Sequence, residues 1–232
     1  FTYGPVPPAE AESVPLQETE IGPLPAHWQV VRMGEVAVKT KQVDPRKNPS
    51  SVFKYIDVSS ISREQLAITN YAEYVGAQAP HRARKAVKEG DIIFATVRPY
   101  LKRVALVDHQ FDGEIVSTAF CVIRCNFDKV LSNYIFQVVI QDDFVERVAQ
   151  HQRGSSYPAV IDKDVLRQTI PLPPLAEQRA IADMLGAVDA KIRAEEGRQA
   201  ALRSLFHTML HHLMTGKVRL PREFIAGFKE SA

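Results

Sequence analysis

The stretch that decides the architecture is "TIPLPPLAEQRAIADMLGAVDAKI", residues 169–192. It places three prolines within four positions, at Pro171, Pro173 and Pro174, and the chain then continues without proline to Met214. Proline fixes φ and removes a backbone donor, so this cluster ends the preceding structure, and the proline-free stretch after it favours a helix. The sequence therefore predicts a globular domain that is followed by one long helix.

The apolar residues of the predicted helix recur with the spacing of a coiled coil. Steps of four and three give a seam of Ile181, Leu185, Val188, Ile192, Glu195, Gln199, Leu202, Phe206, Met209 and Leu213. A period of 3.5 residues over about five heptads is typical of a coiled coil, and such a helix would be a rod of roughly 60 Å. We expect an antiparallel pair with a second copy, in which Glu195 and Gln199 lie near the two-fold axis. The alternative is an amphipathic helix that packs on its own domain.

Composition is that of an ordinary globular protein, with 45% hydrophobic and 24% charged residues and a net charge of +2 over 232 residues. This small net charge excludes a uniformly basic nucleic-acid binder but not local basic clusters. Cys121 and Cys125 lie in a predicted strand and are interpreted as core residues of a protein in a reducing compartment. With no apolar run near the roughly 18 residues of a membrane span and no signal-peptide pattern, we expect a cytoplasmic protein without a membrane partner.

The predicted fold class is α+β, with a mixed sheet in one globular domain. We divide the chain into a flexible Pro/Glu-rich segment (1–22), a domain (23–173), the long helix (174–216) and a C-terminal tail (217–232). Runs rich in β-branched and aromatic residues predict strands at 51–61, 92–97, 104–107 and 115–125. The period then changes, and a single helix with Ser132 as its cap is predicted from there to about Gln150.

Several segments together resemble the specificity subunit of type I restriction–modification systems. They are "GPLPAHWQVVRMGEVA", "GDIIFATVRPYLKRVALV", "GSSYPAVIDKDVLRQTIPLPPLAEQRAIADMLGAVDAKI" and "LMTGKVRLP". The resemblance implies target-recognition domains that each read half of a bipartite DNA site, with one long helix after each domain. The two helices of such a subunit pair antiparallel as a ruler. The subunit itself has no catalytic activity and recruits adenine-N6 methyltransferase subunits, together in many systems with a restriction or translocase subunit.

This chain resembles half of such a subunit, because it holds one recognition domain and one helix. A homodimer would rebuild the whole and read an inverted-repeat site, since two-fold protein symmetry imposes two-fold site symmetry. The other interpretation is a fragment of a longer, two-domain subunit. The resemblance also implies that this chain carries no cofactor and that S-adenosylmethionine is bound by the methyltransferase partner.

Three polar segments carry the candidate contacts to double-stranded DNA, because arginine suits bidentate contact with guanine and lysine suits phosphate. The predicted contact residues are Arg98, Tyr100, Lys102 and Arg103 in the first segment, Arg153, Ser155, Ser156 and Tyr157 in the second, and Arg82, Arg84 and Lys85 in the third. Ser59, Ser60 and Arg63 are weaker candidates. For any single residue the alternative is a solvated surface charge.

Catalytic motifs are missing from the sequence. It has no Asn/Asp-Pro-Pro-aromatic motif for a flipped adenine, no Gly-rich cofactor loop and no phosphate-binding loop. His207 and His211 are spaced as metal ligands but lack a well-placed third ligand, so no metal site is predicted. Glu177, Gln178 and Arg179 either face the methyltransferase or serve the helix N-terminus. We therefore expect a non-catalytic DNA reader, and the alternative is a coiled-coil adaptor without DNA readout.

Overall fold

The computed structural model describes residues 14–154, 156–219 and Pro221. Within them the strands are β1 (Leu16–Thr19), β2 (Gly22–Pro25), β3 (Gln29–Arg32), β4 (Ala37–Val38), β5 (Val52–Ile56), β6 (Ile61–Ser62), β7 (Ala67–Ile68), β8 (Ala72–Val75), β9 (Ala83–Ala86), β10 (Ile92–Ala95), β11 (Val104–Leu106), β12 (Ile115–Ser117), β13 (Phe120–Cys125) and β14 (Thr169–Leu172). The α-helices are α1 (Met33–Val36), α2 (Ser132–Val139), α3 (Asp142–Ala149), α4 (Asp162–Leu166) and α5 (Leu175–Met214). Mixed sheets followed by a long helix confirm the predicted α+β class.

The first large sheet has the order β11-β10-β13-β4 and is antiparallel. Its strand β10 is buried on both faces, because Ile92 and Phe94 point into one hydrophobic cluster while Ile93 and Ala95 point into another. Side chains alternate across a strand, so a strand that is covered on both faces must be apolar throughout. This accounts for the uninterrupted apolar run that predicted a strand here.

The second large sheet has the order β8-β5-β12-β9, and its β5–β12 pair is parallel. The prediction of one strand across residues 115–125 is wrong, since β12 and β13 belong to different sheets. Thr118 and Ala119 form the connection between them. The Thr118 amide donates to the Arg82 carbonyl, and the Ala119 carbonyl accepts from the Thr96 amide. The chain therefore changes sheets at a point where its backbone groups bond to two other segments.

The predicted helix from Ser132 to Gln150 is two helices, α2 and α3, which are separated at Ile140 and Gln141. Gln141 is extended (ψ 144°), and the carboxylates of Asp142 and Asp143 then lie in the first turn of α3, where the helix dipole favours negative charge. The predicted cap is also wrong, because the N-cap position is Leu131. The predicted apolar side is correct, since Ile135, Val138, Val139, Phe144, Val145 and Val148 are all buried in the largest core cluster.

The N-terminal boundary differs from the prediction, because β1 and β2 pair as a hairpin over residues 16–25. The segment predicted to be flexible therefore ends before Leu16. Gly22 closes the turn with a φ of 98°, and the Thr19 hydroxyl donates to the Gly22 carbonyl at 2.5 Å. Residues 1–13 of that segment lie outside the described residues, as does most of the predicted C-terminal tail.

The proline cluster does not lie wholly after the last strand of the domain. Pro171 is part of β14 and pairs with Val30 of β3. The first turns of α5 then pack on this part of the domain. Gln178, Ile181 and Ala182 are buried there, and the first compact unit of the chain extends to Asp183. The domain therefore ends about ten residues after the prolines, inside the helix rather than at its start.

Candidate nucleic-acid interface

Backbone hydrogen bonds and one ion pair bring together the three segments that carry the predicted DNA contacts. The Val160 amide donates to the Thr96 carbonyl at 2.9 Å, and the Arg98 amide donates to the Pro158 carbonyl at 2.8 Å. Lys85 Nζ lies 2.5 Å from the Asp162 carboxylate, which follows directly after the 153–161 loop. We use the name three-loop cluster for residues 81–85, 96–103 and 153–162 of this arrangement, with Ser155 outside the described residues.

The 96–103 loop is built on an unusual backbone. Arg98 and Lys102 are both left-handed, with φ of 50° and 49°, and they flank a 3-10 turn at Pro99–Leu101. Leu66 is the one further non-glycine residue with positive φ among the described residues. A side chain in this conformation costs about 1–2 kcal/mol, and such positions concentrate at functional sites. The loop therefore holds a conformation that its residues do not favour by themselves.

Arg98 and Tyr157 meet across two loops of this cluster. The Arg98 guanidinium lies 5.3 Å from the centre of the Tyr157 ring, and its Nη2 donates to the Ser156 carbonyl at 3.4 Å. Tyr157 is 74% exposed and Tyr100 is 52% exposed. A guanidinium over an exposed ring is held by a cation–π interaction of about 0.5–1 kcal/mol. The contact orients the arginine without enclosing it.

Other predicted contact residues are already engaged within the protein. Arg103 Nη1 donates to the carbonyls of Ile61 at 2.6 Å and Val58 at 3.1 Å, so Arg103 ties its loop to the neighbouring segment. These bonds give Arg103 a structural role within the domain, and its contact with DNA stays a prediction. Lys102 Nζ pairs with the Asp142 carboxylate at the start of α3, at 2.5 Å.

The basic segment at 81–85 divides in the same way. Lys85 is only 8% exposed, donates to the Phe120 carbonyl at 2.6 Å and pairs with Asp162, so its side chain is occupied inside the domain and its DNA contact stays a prediction. Arg84 is half-buried and pairs with Asp44, so its DNA contact likewise stays a prediction. Arg82 is exposed at the start of β9.

Arg153 belongs to the support of its loop rather than to its tip. Its Nη1 lies 2.7 Å from the carboxylate of Asp164, which is 1% exposed and also accepts from the Ile161 amide at 3.1 Å. The hydrogen bond from Arg153 holds the pKa of the Asp164 carboxyl below its usual range, against the opposing effect of burial. The same bond raises the pKa of Arg153. This pair closes the base of the 153–161 loop.

We name five residues of the three-loop cluster the recognition face: Arg82, Tyr100, Ser156 and Tyr157, which are exposed, and Arg98, which is half-buried. Ser59 and Ser60 do not join it, because both hydroxyls donate to the carboxylate of Asp57. The sequence did not reveal the acidic partners Asp142, Asp162 and Asp164. The only signal was that Asp162 and Asp164 flank a lysine at a helix start.

The start of α5 is attached to the domain by polar side chains. Glu177 and Gln178, for which the sequence left open a methyltransferase contact or a role at the helix N-terminus, make these bonds. Gln178 is fully buried, and its side chain accepts from the Leu131 amide and donates to the carbonyls of Lys129 and Pro173 at 2.9–3.1 Å. Glu177 accepts from Trp28 Nε1 at 2.9 Å and lies 2.7 Å from His27 Nε2. Arg179 is exposed. Glu177 and Gln178 therefore hold the helix to its own domain.

The predicted seam of α5 begins later than proposed. Ile181 is 4% exposed and belongs to the core of the domain, so it is not available to a partner helix. From Leu185 onward the apolar seam is exposed, and Phe206 reaches 63%. Glu195 pairs with Arg198 on the same helix at 3.5 Å. Exposed apolar residues outside the seam are Met184, Leu205, Leu210 and Met214.

Neither a membrane span nor a metal cluster is found within the described part of the chain. No helix there is long and apolar enough to cross a bilayer. Among the same residues, no group of three or more histidine, cysteine, aspartate or glutamate side chains could hold a metal ion. Cys121 and Cys125 are buried and free, and burial raises the pKa of the Cys125 thiol to about 11.

Residues 25–204 match the family model described as the type I restriction modification DNA specificity domain. The type I restriction enzyme HindI specificity subunit of Haemophilus influenzae is 31% identical over 115 residues, which cover 49% of this chain and 25% of that protein. The MjaVIII specificity subunit of Methanocaldococcus jannaschii is 24% identical over 217 residues, which cover 88% of this chain and 49% of that protein. This chain thus spans a quarter to a half of the length of these relatives.

Solved structures agree with this assignment. The crystal structure of the HsdS subunit from Thermoanaerobacter tengcongensis has a TM-score of 0.69 and 40% identity, over 86% of this chain and 53% of that chain. A chain from a structure on complex assembly and conformational transition of the type I R-M system has a TM-score of 0.71 and 39% identity, over 85% and 52% of the two chains. From the family match across most of its length, the chain belongs to the type I restriction modification DNA specificity family.

Proposed function

We propose that this chain is a non-catalytic subunit that binds double-stranded DNA sequence-specifically and reads one half of a bipartite site for a type I restriction–modification system. The observation that carries the proposal is the recognition face. One exposed arginine, two exposed tyrosines, an exposed serine and the half-buried Arg98 lie on segments that backbone hydrogen bonds and the Lys85–Asp162 ion pair hold together. The names of the related specificity subunits support the same function.

The chemistry of the recognition face suits a DNA groove. Sequence-specific binding needs cations that settle on phosphates and a few side chains that reach base edges. Arginine and tyrosine supply both, and they are the long side chains of the recognition face, whereas Arg84, Lys85, Arg103 and Arg153 bond to groups inside the domain. The internal ion pairs keep the loops in place, so less entropy is lost on binding.

The test is selection of bound duplexes from a random pool with the full chain. We expect the bound duplexes to share one short defined sequence block. Bound duplexes that share no sequence would contradict the proposal. As a matched pair, Arg82→Ala removes one arginine from the recognition face and Arg32→Ala removes one exposed arginine from β3. We expect the first variant to weaken binding to the enriched block and the second to bind it like the unchanged chain.

The exposed apolar face of α5 supports the partners that we propose. Between residues 202 and 214 the apolar rows cover about half of the helix circumference, at about 100° per residue. They consist of Leu202, Leu205, Phe206, Met209, Leu210, Leu213 and Met214. One seam in a two-stranded coiled coil is narrower than this. We therefore propose that one part pairs with α5 of a second copy and that the rest meets a methyltransferase subunit.

The methyltransferase partner would supply S-adenosylmethionine and the adenine-N6 chemistry, with a restriction or translocase subunit as a further partner. We propose that the assembly works in the cytoplasm, where its DNA substrate is.

The exposed face of α5 also favours a second candidate, a coiled-coil adaptor that does not read DNA. Salt dependence separates the two. Each phosphate contact releases a counterion, and the free energy gained by that release shrinks as the salt concentration rises, so DNA affinity falls steeply with salt. For a DNA reader, the logarithm of the association constant should fall linearly with the logarithm of the salt concentration between about 50 and 200 mM. An adaptor should show no measurable duplex binding at either concentration and should still self-associate.

A further inference from the structure

We infer that Arg98 is the residue that reads a guanine edge in the recognised half-site, and that Tyr157 is the positioning residue that orients it. This inference rests on the proposed function, and it names the base and the side chains involved. The observations that carry it are the exposed Arg98–Tyr157 contact and the left-handed backbone beneath it.

The arginines of the three-loop cluster differ in how firmly they are bound within the domain. Arg103 and Arg153 make hydrogen bonds of 2.6 and 2.7 Å to groups inside the domain. Arg98 instead donates to the Ser156 carbonyl at 3.4 Å, beyond the usual distance of an N–H···O bond. A base edge could replace this long bond at little cost, whereas it would have to break the bonds of the other two.

The backbone at Arg98 is held in one conformation. The Arg98 amide is fixed by the Pro158 carbonyl at 2.8 Å, and Pro99 follows it directly at the start of the 3-10 turn. Arg98 keeps a φ of 50°, although glycine would fit that conformation without strain. A strained position that retains a long functional side chain marks a residue whose direction matters. The backbone is thus rigid while the guanidinium stays adjustable.

The hydrogen-bond donors of a guanidinium match the acceptors of guanine. The planar guanidinium carries paired donors that match O6 and N7 of guanine in the major groove, a pattern that adenine, cytosine and thymine do not present. The exposed ring of Tyr157 lies against the guanidinium of the half-buried Arg98, and the one hydrogen bond of that guanidinium to the Ser156 carbonyl is long, at 3.4 Å. A bidentate contact with O6 and N7 needs the fork to be held in one direction, which a lysine, acting as a point charge, does not provide.

The experiment compares selected sequence profiles of the full chain with those of Arg98→Lys and Arg98→Gly. Lysine keeps the charge but loses the fork, and glycine relaxes the backbone while removing the side chain. For both variants we expect the preference for guanine at one position to fall by about 5- to 150-fold, the range of one bidentate contact. Arg98→Lys should keep the salt dependence of the unchanged chain, because the number of positive charges is the same.

Lys102→Gly is the matched control, because it relieves the same left-handed conformation in the same turn and also removes one charge. Its profile should retain the guanine. For Tyr157, the Tyr157→Phe variant should retain the guanine and Tyr157→Ala should weaken it, which separates the ring from the hydroxyl. Folding of each variant is checked by its urea unfolding midpoint.

Either of two results would overturn the assignment. An unchanged guanine preference in both Arg98 variants would show that another residue reads the base. Loss of affinity by the same factor at all sequences would make Arg98 a phosphate contact. If the unchanged chain selects no block at all, the proposed function fails, and the assignment of Arg98 fails with it. That outcome is distinct from a normal wild-type profile that the variants leave intact.

Discussion

Asp164 is the residue on which the support of the 153–161 loop depends. It is almost fully buried, and its carboxylate accepts from Arg153 and from the Ile161 amide while Arg167 lies 3.3 Å away. Hydrogen bonds to a charged group contribute about 1.5–3 kcal/mol each, and an unpaired buried donor costs about 1–3 kcal/mol. The geometry of the recognition loop is therefore linked to the charge state of this one carboxylate.

Replacing Asp164 with asparagine should change how stability depends on pH. The folded-state pKa of Asp164 lies below its ordinary value, so its contribution is fully present above about pH 4 and is lost as the pH falls through the folded-state pKa. We expect the free energy of unfolding to fall less steeply between about pH 5 and pH 2 in Asp164→Asn than in the unchanged chain. Urea unfolding at a series of pH values measures this.

Asp128→Asn is the control, because Asp128 is an exposed aspartate in the turn before α2. It should keep the slope of the unchanged chain. Equal slopes for the Asp164→Asn variant and the unchanged chain would show that the Arg153–Asp164 pair does not stabilise the fold.

At this scale the sequence predicted the segments of the site better than its residues. The three basic or Gly-bearing segments do meet, but Lys85 is paired with Asp162, which lies 77 positions away, and Arg103 bonds to carbonyls more than 40 positions away. Such pairings depend on which strands become neighbours, and no local pattern encodes that. Residue type alone cannot separate a lysine that closes a buried ion pair from one that meets a phosphate.

Among the elements, α5 depends on its first turns for its attachment to the domain. The buried Gln178 amide satisfies one backbone donor and two backbone acceptors from two other segments. Trp28 and His27 bind the neighbouring Glu177. Together these bonds explain why glutamate and glutamine follow the prolines at this point of the chain.

Gln178→Ala should lower the free energy of unfolding by about 1–3 kcal/mol, because it leaves buried backbone groups without partners. Arg179→Ala at the next position removes an exposed side chain and should change it by less than about 0.5 kcal/mol. The urea midpoints of the two variants give the comparison. Similar values for both would mean that water replaces the Gln178 amide and that the anchor is dispensable.

The elements themselves were predicted with mixed success. Uninterrupted apolar or aromatic-rich runs correctly predicted β5, β10 and β11, and a sustained helical period correctly predicted α5. The split between β12 and β13 and the break between α2 and α3 were missed. Each break holds only two or three polar residues, Ser117 and Thr118 in the first and residues 141–143 in the second. The apolar residues on its two sides therefore resemble one run, and the pattern shows burial but not the change of direction.

For the whole molecule, we expect self-association through the exposed half of α5. Leu202→Asp combined with Phe206→Asp places two charges on its apolar face and should give a monomer whose domain remains folded. Light scattering measures the mass, and circular dichroism checks the fold. Arg193→Asp combined with Ser204→Asp places two aspartates on exposed positions of the opposite face of the same helix and should leave the mass unchanged. A dimer that survives the first pair of substitutions would rule out this face as the contact.

Half-site reading by a dimer is tested by binding to duplexes that carry the selected block twice in inverted orientation, at graded spacings. If each chain reads half of a bipartite site and α5 joins two copies, affinity should peak at one spacing, and the complex should contain two chains. The Leu202→Asp and Phe206→Asp double variant should lose the peak while keeping affinity for a single block. Equal affinity at every spacing, with one chain bound per block, would contradict the account.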